Sequence, residues 1–284
     1  MSGEGAVSPA TEWSTDVAQG EWFTARLDAP HDGIGFLVPS GFEAMARIFH
    51  PIEQERDRDE QEVATTTWAA VAAANDRIVH PEMQLHCIAA PLGTRPEFVS
   101  NAPPFVSEGE LPARERRELA KILGSVSGVD RCWFGVWDGY GQLHDSISRH
   151  TRHRTDAPRL VQAFQRLVNR RRVHNEGTAP KAIQNGPRVR APNRDYLLMR
   201  GSLSAVDDAA ALVSGNGVRG WSQTPNLWWP DDHSWFVVSE IDFSCTYVCG
   251  TTELIEIVLE SPVLEALPAE RSHRGDYRGD QVNV

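Results

Sequence analysis

The chain has few cysteines, almost no lysine and no long apolar run. Its four cysteines among 284 residues, Cys87, Cys132, Cys245 and Cys249, are too few and too scattered for a disulfide framework. The C-x3-C pair also lacks the usual zinc-knuckle spacing, so all four read as reduced core thiols. Only Lys121 and Lys181 among 28 basic residues are lysine, which leaves arginine to carry nearly all the positive charge. No stretch of 18 apolar residues occurs, and the opening MSGEGAVSPATEWSTD has neither the basic start nor the apolar run of a secretory signal. The expectation is a soluble cytoplasmic protein with no membrane association.

Catalytic signatures are missing too. There is no HExxH or HxH among the ten histidines, no G-x-S-x-G and no GxxxxGK[ST]. Zinc hydrolysis, serine-nucleophile chemistry and phosphate cradling by these routes are therefore not expected, and neither a metal nor a cofactor is implied.

The net charge of −11 hides a segregation. Residues 149–200 hold 13 basic residues against three acids (Asp156, Glu176, Asp195), while the remainder holds 15 against 36. A phosphate-binding surface or a basic element docked on an acidic body would both give this pattern. Docking is the better reading, because the overall field repels polyanions and the basic segment has no interleaved aromatic platform. Nucleic-acid binding through Arg159, Arg166 and Arg170 stays as the least favoured alternative.

Residues 1–19, small and polar, read as a disordered leader, and 20–270 as one globular domain with a basic helical and loop excursion at about 145–194. The polar stretch 271–284 reads as a loose tail. Within the domain, Phe42, Met45, Ala46 and Phe49 have helical spacing after Ser40, and helices are also expected over 63–74, over 113–123 stopped by Gly124, over 157–173, from Ser204 to Val213, and over 252–260. Strands are expected over 84–90, at Arg131–Val136 buried on both faces, and over 196–200, 235–241, 246–249 and 264–267. Strands and helices alternate without a βαβ rhythm, which predicts an α+β fold with a mixed or largely antiparallel sheet and flanking helices.

The densest feature is Leu227–Gly250, which gathers Trp228, Trp229, Trp235 and the carboxylates Asp231, Asp232, Glu240 and Asp242. Trp228 and Trp229 are adjacent, so an extended backbone sends their rings to opposite sides and only one can enter a given pocket. They either form an aromatic wall for a ligand or close the end of the core. Asp231 and Asp232 suit turn capping. Glu240 and Asp242, two apart in an extended strand, share a face and would open into one space at the strand end. There they either act as an acid and base pair or are solvated or ion-paired, with Arg200 or Arg131 as the counter-charge.

The blocks GFEAMARIFHP (41–51), RCWFGVWDGYG (131–141), RDYLLMRG (194–201) and PNLWWPDDHSWFVVSEIDFSCTYVCGTTELI (225–255) resemble an uncharacterised actinobacterial protein family. The likeness spans most of the chain and implies no activity, ligand or catalytic residue. The function expected from the residues is binding, of a small molecule or a protein partner, through a pocket or surface built by Trp228 or Trp229, Trp235, Glu240 and Asp242 with Arg200 or Arg131. The alternative is an enzyme of specialised metabolism using Glu240 and Asp242 as general acid and base.

Overall fold

The computed structural model describes residues 11–30, 33–53, 64–89, 105–149, 172–175, 177–214 and 223–284. Nine strands form one sheet: β1 (Thr11–Ser14), β2 (Ala44–Phe49), β3 (Arg131–Trp137), β4 (Val189–Arg190), β5 (Asp195–Ser202), β6 (Leu227–Pro230), β7 (Phe236–Val238), β8 (Cys245–Gly250) and β9 (Glu265–Pro268). The order across it is β1-β5-β3-β6-β7-β8-β2-β9, with β4 also paired to β5, and every ladder is antiparallel. The fold is α+β, with helices flanking the sheet. Among the described residues no helix is long and apolar enough to cross a membrane.

Side-chain alternation puts apolar groups on both faces of the sheet. One face presents Ala46, Phe134, Met199, Trp228, Val237 and Val248 to the helices Ala113–Ser127, Val206–Ser214 and Thr252–Leu259. The other presents Trp133, Leu198, Trp229, Phe236 and Tyr247 to Phe23, Ile34 and Leu37 of the N-terminal segment. β3 is buried on both faces, as its sequence predicts.

Several expectations are corrected. The stretch read as a helix after Ser40 is β2, because pairing with β8 on one side and β9 on the other buries Met45 and Ile48 on opposite faces, and tertiary pairing overrides the helical spacing. The run at 84–90 contains a one-turn helix, Leu85–Ile88, instead of a strand. The helix expected to stop at Gly124 runs to Ser127 and ends on Gly128, which takes the left-handed conformation (φ 64°) of a C-terminal cap. Part of the expected leader is ordered, since Thr11–Ser14 forms an edge strand paired with β5 and Trp13 packs against the core.

The tail is pinned, not loose. Asp280 is buried and accepts from the Gln84 amide (3.2 Å), with His80 Nε2 at 2.9 Å. Asn283 is buried as well and bonds both the amide and the carbonyl of Ile78 (2.9 and 3.0 Å). Polar composition concealed this docking because it uses side-chain hydrogen bonds and no apolar stripe.

The excursion opens with Ser146–Arg149, which is laddered to Arg172–Asn175. The later part, expected as loop, contains the helix Lys181–Gln184 and β4. The expected helix carrying Arg159, Arg166 and Arg170 lies outside the described residues.

Candidate functional site

Residues 227–250 fold as the hairpin β6–β7 followed by β8. Register sets Trp229 opposite Trp133 and Leu227 opposite both Gly135 and Val238. The turn at 231–234 therefore lies at the Arg131 end of β3, and Ser239–Asp242 lie at its Trp137 end. The four carboxylates that are close in sequence divide between two ends of the sheet.

At the first end, Asp231 accepts from Trp133 Nε1 and from Arg200 Nη2, both at 2.7 Å, and the Arg200 guanidinium lies over the Trp133 ring at 5.1 Å. Asp232 caps the turn, as its residue type suggests, by accepting from the Ser234 amide (3.0 Å). His233 adopts φ 58° and stacks on Trp22 with 4.2 Å between ring centroids. Arg131 is exposed at the start of β3 opposite Ser202, and Arg200 is four residues along β5 from Tyr196, roughly 13 Å away. Neither expected counter-charge reaches Glu240 or Asp242.

The tryptophans go to the interior. Trp228 and Trp235 pack on the helical face and Trp229 on the other, each no more than 2% exposed. Adjacency does send Trp228 and Trp229 to opposite sides, but both sides are core.

At the second end, β7 stops at Val238, and Glu240 and Asp242 sit in a turn closed by the Phe243 amide donating to the Glu240 carbonyl (3.0 Å). The turn is held from below by Asn226. Its Nδ2 donates to the Ser239 and Gly109 carbonyls (3.3 Å each) and to Tyr140 Oη (2.9 Å), while its Oδ1 accepts from the Trp137 amide (2.9 Å). Gly109 takes φ 75°, and a Cβ there would meet the Ile241 backbone at 2.8 Å, so the close approach of these two loops requires glycine.

The two carboxylates do meet, through a residue outside the sequence expectation. Arg194, just before β5, donates from Nη2 to Glu240 Oε1 (2.5 Å) and to Asp242 Oδ2 (2.8 Å), and from Nε to Glu240 Oε1 (3.1 Å). Its guanidinium lies over the Trp137 ring at 5.6 Å. Glu240 is buried, whereas the Asp242 side chain is 72% exposed. Burial pushes the Glu240 carboxyl upward and Arg194 opposes that shift. Glu240 Oε2 is buried and has no hydrogen-bond partner among the described residues.

Arg194 also lines a cleft with Phe23, Leu27, Phe36, Leu37, Ala191, Asn193, Tyr196, Leu227 and Val238. The cleft contains about 260 Å³ out to the solvent boundary, and its enclosed part has room for about one water. Apart from Arg194 and Asn193 its lining is aliphatic or aromatic. Burial, with Glu240 nearby, raises the Tyr196 phenol above its ordinary range, so this hydroxyl stays neutral. Among the described residues, no group of three or more His, Cys, Asp and Glu is placed to hold a metal ion.

Behind the turn runs a buried polar chain. His50 Nδ1 lies 2.6 Å from the Ser107 carbonyl, which can only accept, so Nδ1 carries the proton and Nε2 accepts from Thr246 Oγ1 (2.9 Å). Thr246 in turn accepts from Ser239 Oγ (2.7 Å). Burial lowers the His50 pKa to about 4. The unfolded chain protonates this imidazole below about pH 6.5 while the folded chain resists until about 4, so stability falls with pH across that window, by about 3 kcal/mol in full.

Glu110 opposes the His50 slope. Its burial raises the carboxyl from 4.5 to about 7, so its contribution to stability falls as pH rises over that range. Urea unfolding of Glu110→Gln from pH 7 to 4 should therefore show a steeper acid loss than the wild type, and His50→Gln in that background should flatten it. An unchanged slope in the double variant would remove His50 as the cause.

Arg194 was hidden in sequence because it counts as one more arginine of a basic segment, 46 positions from Glu240. The only available signal was its place one residue before an apolar strand. No family model matches the chain, and comparison with curated proteins and with solved structures also found no match.

Proposed function

We propose that this is a soluble, cytoplasmic binding protein whose cleft beside Arg194 receives one small apolar group, carried by a small molecule or by a partner's side chain. The observation that supports the reading is an otherwise apolar cleft with one guanidinium in its wall, oriented by a buried carboxylate. Clefts that bind ligands typically combine such a lining with a few fixed polar groups. The narrow enclosed part means that occupation requires the surrounding side chains to move apart. Kinship with the actinobacterial family belongs to this proposal and contributes no activity to it.

The test compares native mass spectra of the purified wild type and of Ala191→Trp, which fills the cleft from its rim. The wild type should carry a species released on denaturation, and the folded variant should lack it. A wild type that carries nothing, or a variant that carries the same species, would overturn the reading.

A second reading, proton transfer by Glu240, is favoured by its raised carboxyl and by an Oε2 without a hydrogen-bond partner among the described residues. Exposed Asp242 does not share that environment, so the acid and base pair reduces to Glu240 alone. Glu240→Gln should then retain the bound species but no longer convert it. Equal conversion by both proteins would remove Glu240 from the chemistry.

A further inference from the structure

The charges around the cleft narrow what it takes, provided that the binding reading above holds. Arg194 presents two edges. The Nε and Nη2 edge is committed to buried Glu240, both nitrogens donating to the single oxygen Oε1. The outer edge, Nη1 and Nη2, is only partly used. Nη2 reaches Asp242, and Nη1 has one contact at the limit of hydrogen bonding, 3.5 Å to the Asn193 carbonyl. A guanidinium edge of this kind accommodates a carboxylate through two parallel bonds. Asp242 offers it only one oxygen. Because its side chain is 72% exposed, the Asp242 contact is a weak surface ion pair. It is the replaceable member of the triad.

Replacement has an electrostatic consequence. With Glu240 and Asp242 against Arg194, this triad already carries one net negative charge, and the chain as a whole carries −11. A ligand bringing only a carboxylate would add to this excess, and one bringing only a cation would face Arg194. A ligand carrying both charges on one carbon meets neither objection. Its carboxylate takes the outer edge of Arg194, and the carboxylate of Asp242, once released, accepts its ammonium. The remaining lining, Phe23, Leu27, Phe36, Leu37, Tyr196, Leu227 and Val238, matches an aliphatic or aromatic side chain in polarity, and such a group enters only as these residues move apart.

We infer that the cleft is a site for an apolar α-amino acid, with Arg194 as the carboxylate anchor and Asp242 as a latch that exchanges from Arg194 to the ammonium group.

Calorimetric and ligand-observed NMR titrations of L-leucine and L-phenylalanine test this, with phenylacetate and phenethylamine as single-charge analogues. The amino acids should bind and each analogue should bind at least about tenfold more weakly, since each loses a charge-assisted bond. Asp242→Asn should weaken the amino acids by about tenfold while leaving phenylacetate unaffected or slightly tighter, and Ala191→Trp should bind none of them. Equal affinity for phenylalanine and phenylacetate would overturn the amino-acid assignment. So would the absence of amino-acid binding in a wild type whose co-purifying species disappears in Ala191→Trp, a result that leaves the cleft itself standing as a binding site.

Discussion

Trp229→Ala is expected to lower folding stability by about 3–5 kcal/mol, the range for removing a large buried aromatic side chain. Trp229 is fully buried, stacked with Phe236 at 6.1 Å between centroids and tilted against Phe23 at 5.2 Å. The void left would be enclosed by strands that cannot collapse without breaking ladders to β3 and β7. Trp229→Phe should behave differently. The indole Nε1 is buried without a hydrogen-bond partner among the described residues, so the smaller ring loses volume but also removes an unpaired donor. A net loss below about 1.5 kcal/mol is expected for phenylalanine. Equilibrium urea unfolding, comparing midpoints at constant slope, measures both. A loss under about 1 kcal/mol for the alanine variant would mean that this ring is dispensable to the core and would reopen its reading as a ligand wall.

The second large effect is expected for Arg194→Met, which strands Glu240 in the interior. Breaking a buried ion pair by removing one partner costs about 3–5 kcal/mol, because the remaining charge keeps its desolvation penalty. Protonation limits that loss. Burial already pushes the Glu240 carboxyl upward, and without Arg194 nothing comparable opposes the shift. The unfolded chain ionises this carboxyl near its ordinary value while the folded variant does not, so stability is lost as pH rises from about 4.5. The variant should thus be closest to wild type near pH 5 and furthest from it at pH 8. Adding Glu240→Gln to Arg194→Met should recover most of the loss at pH 8, since it removes the stranded charge. A pH-independent difference, or no recovery in the double variant, would mean that the pair contributes no more than a surface contact.

Much of the hairpin was legible in the sequence. Alternation along FVV and CTYVCG marks β7 and β8, and adjacency fixes Trp228 and Trp229 on opposite faces. The ends were less legible. Nothing local distinguishes Ser239–Asp242 as a turn from four more strand residues, because the cause lies in Asn226 and in the close approach of Gly109 to Ile241. The partner of Glu240 was illegible for a related reason. Choosing among Arg131, Arg194 and Arg200 requires the register of β5 on β3, in which Tyr196 faces Trp137 and Arg200 faces Trp133, and single-sequence patterning does not encode it. The segment that became β2 shows the opposite failure, a helical spacing that was present but outweighed by pairing on both sides.

The division of the acidic residues between the two ends of the hairpin also sets how its variants combine. Asp231 with Arg200 and Glu240 with Arg194 share no hydrogen-bond partner and sit at positions of β3 roughly 13 Å apart. Free-energy changes at such a separation usually add to within about 0.5 kcal/mol. Asp231→Asn and Asp242→Asn should therefore behave as independent perturbations. Any measured excess in the double variant would report coupling through Leu227 and Val238, the row of the sheet that lies between the two ends.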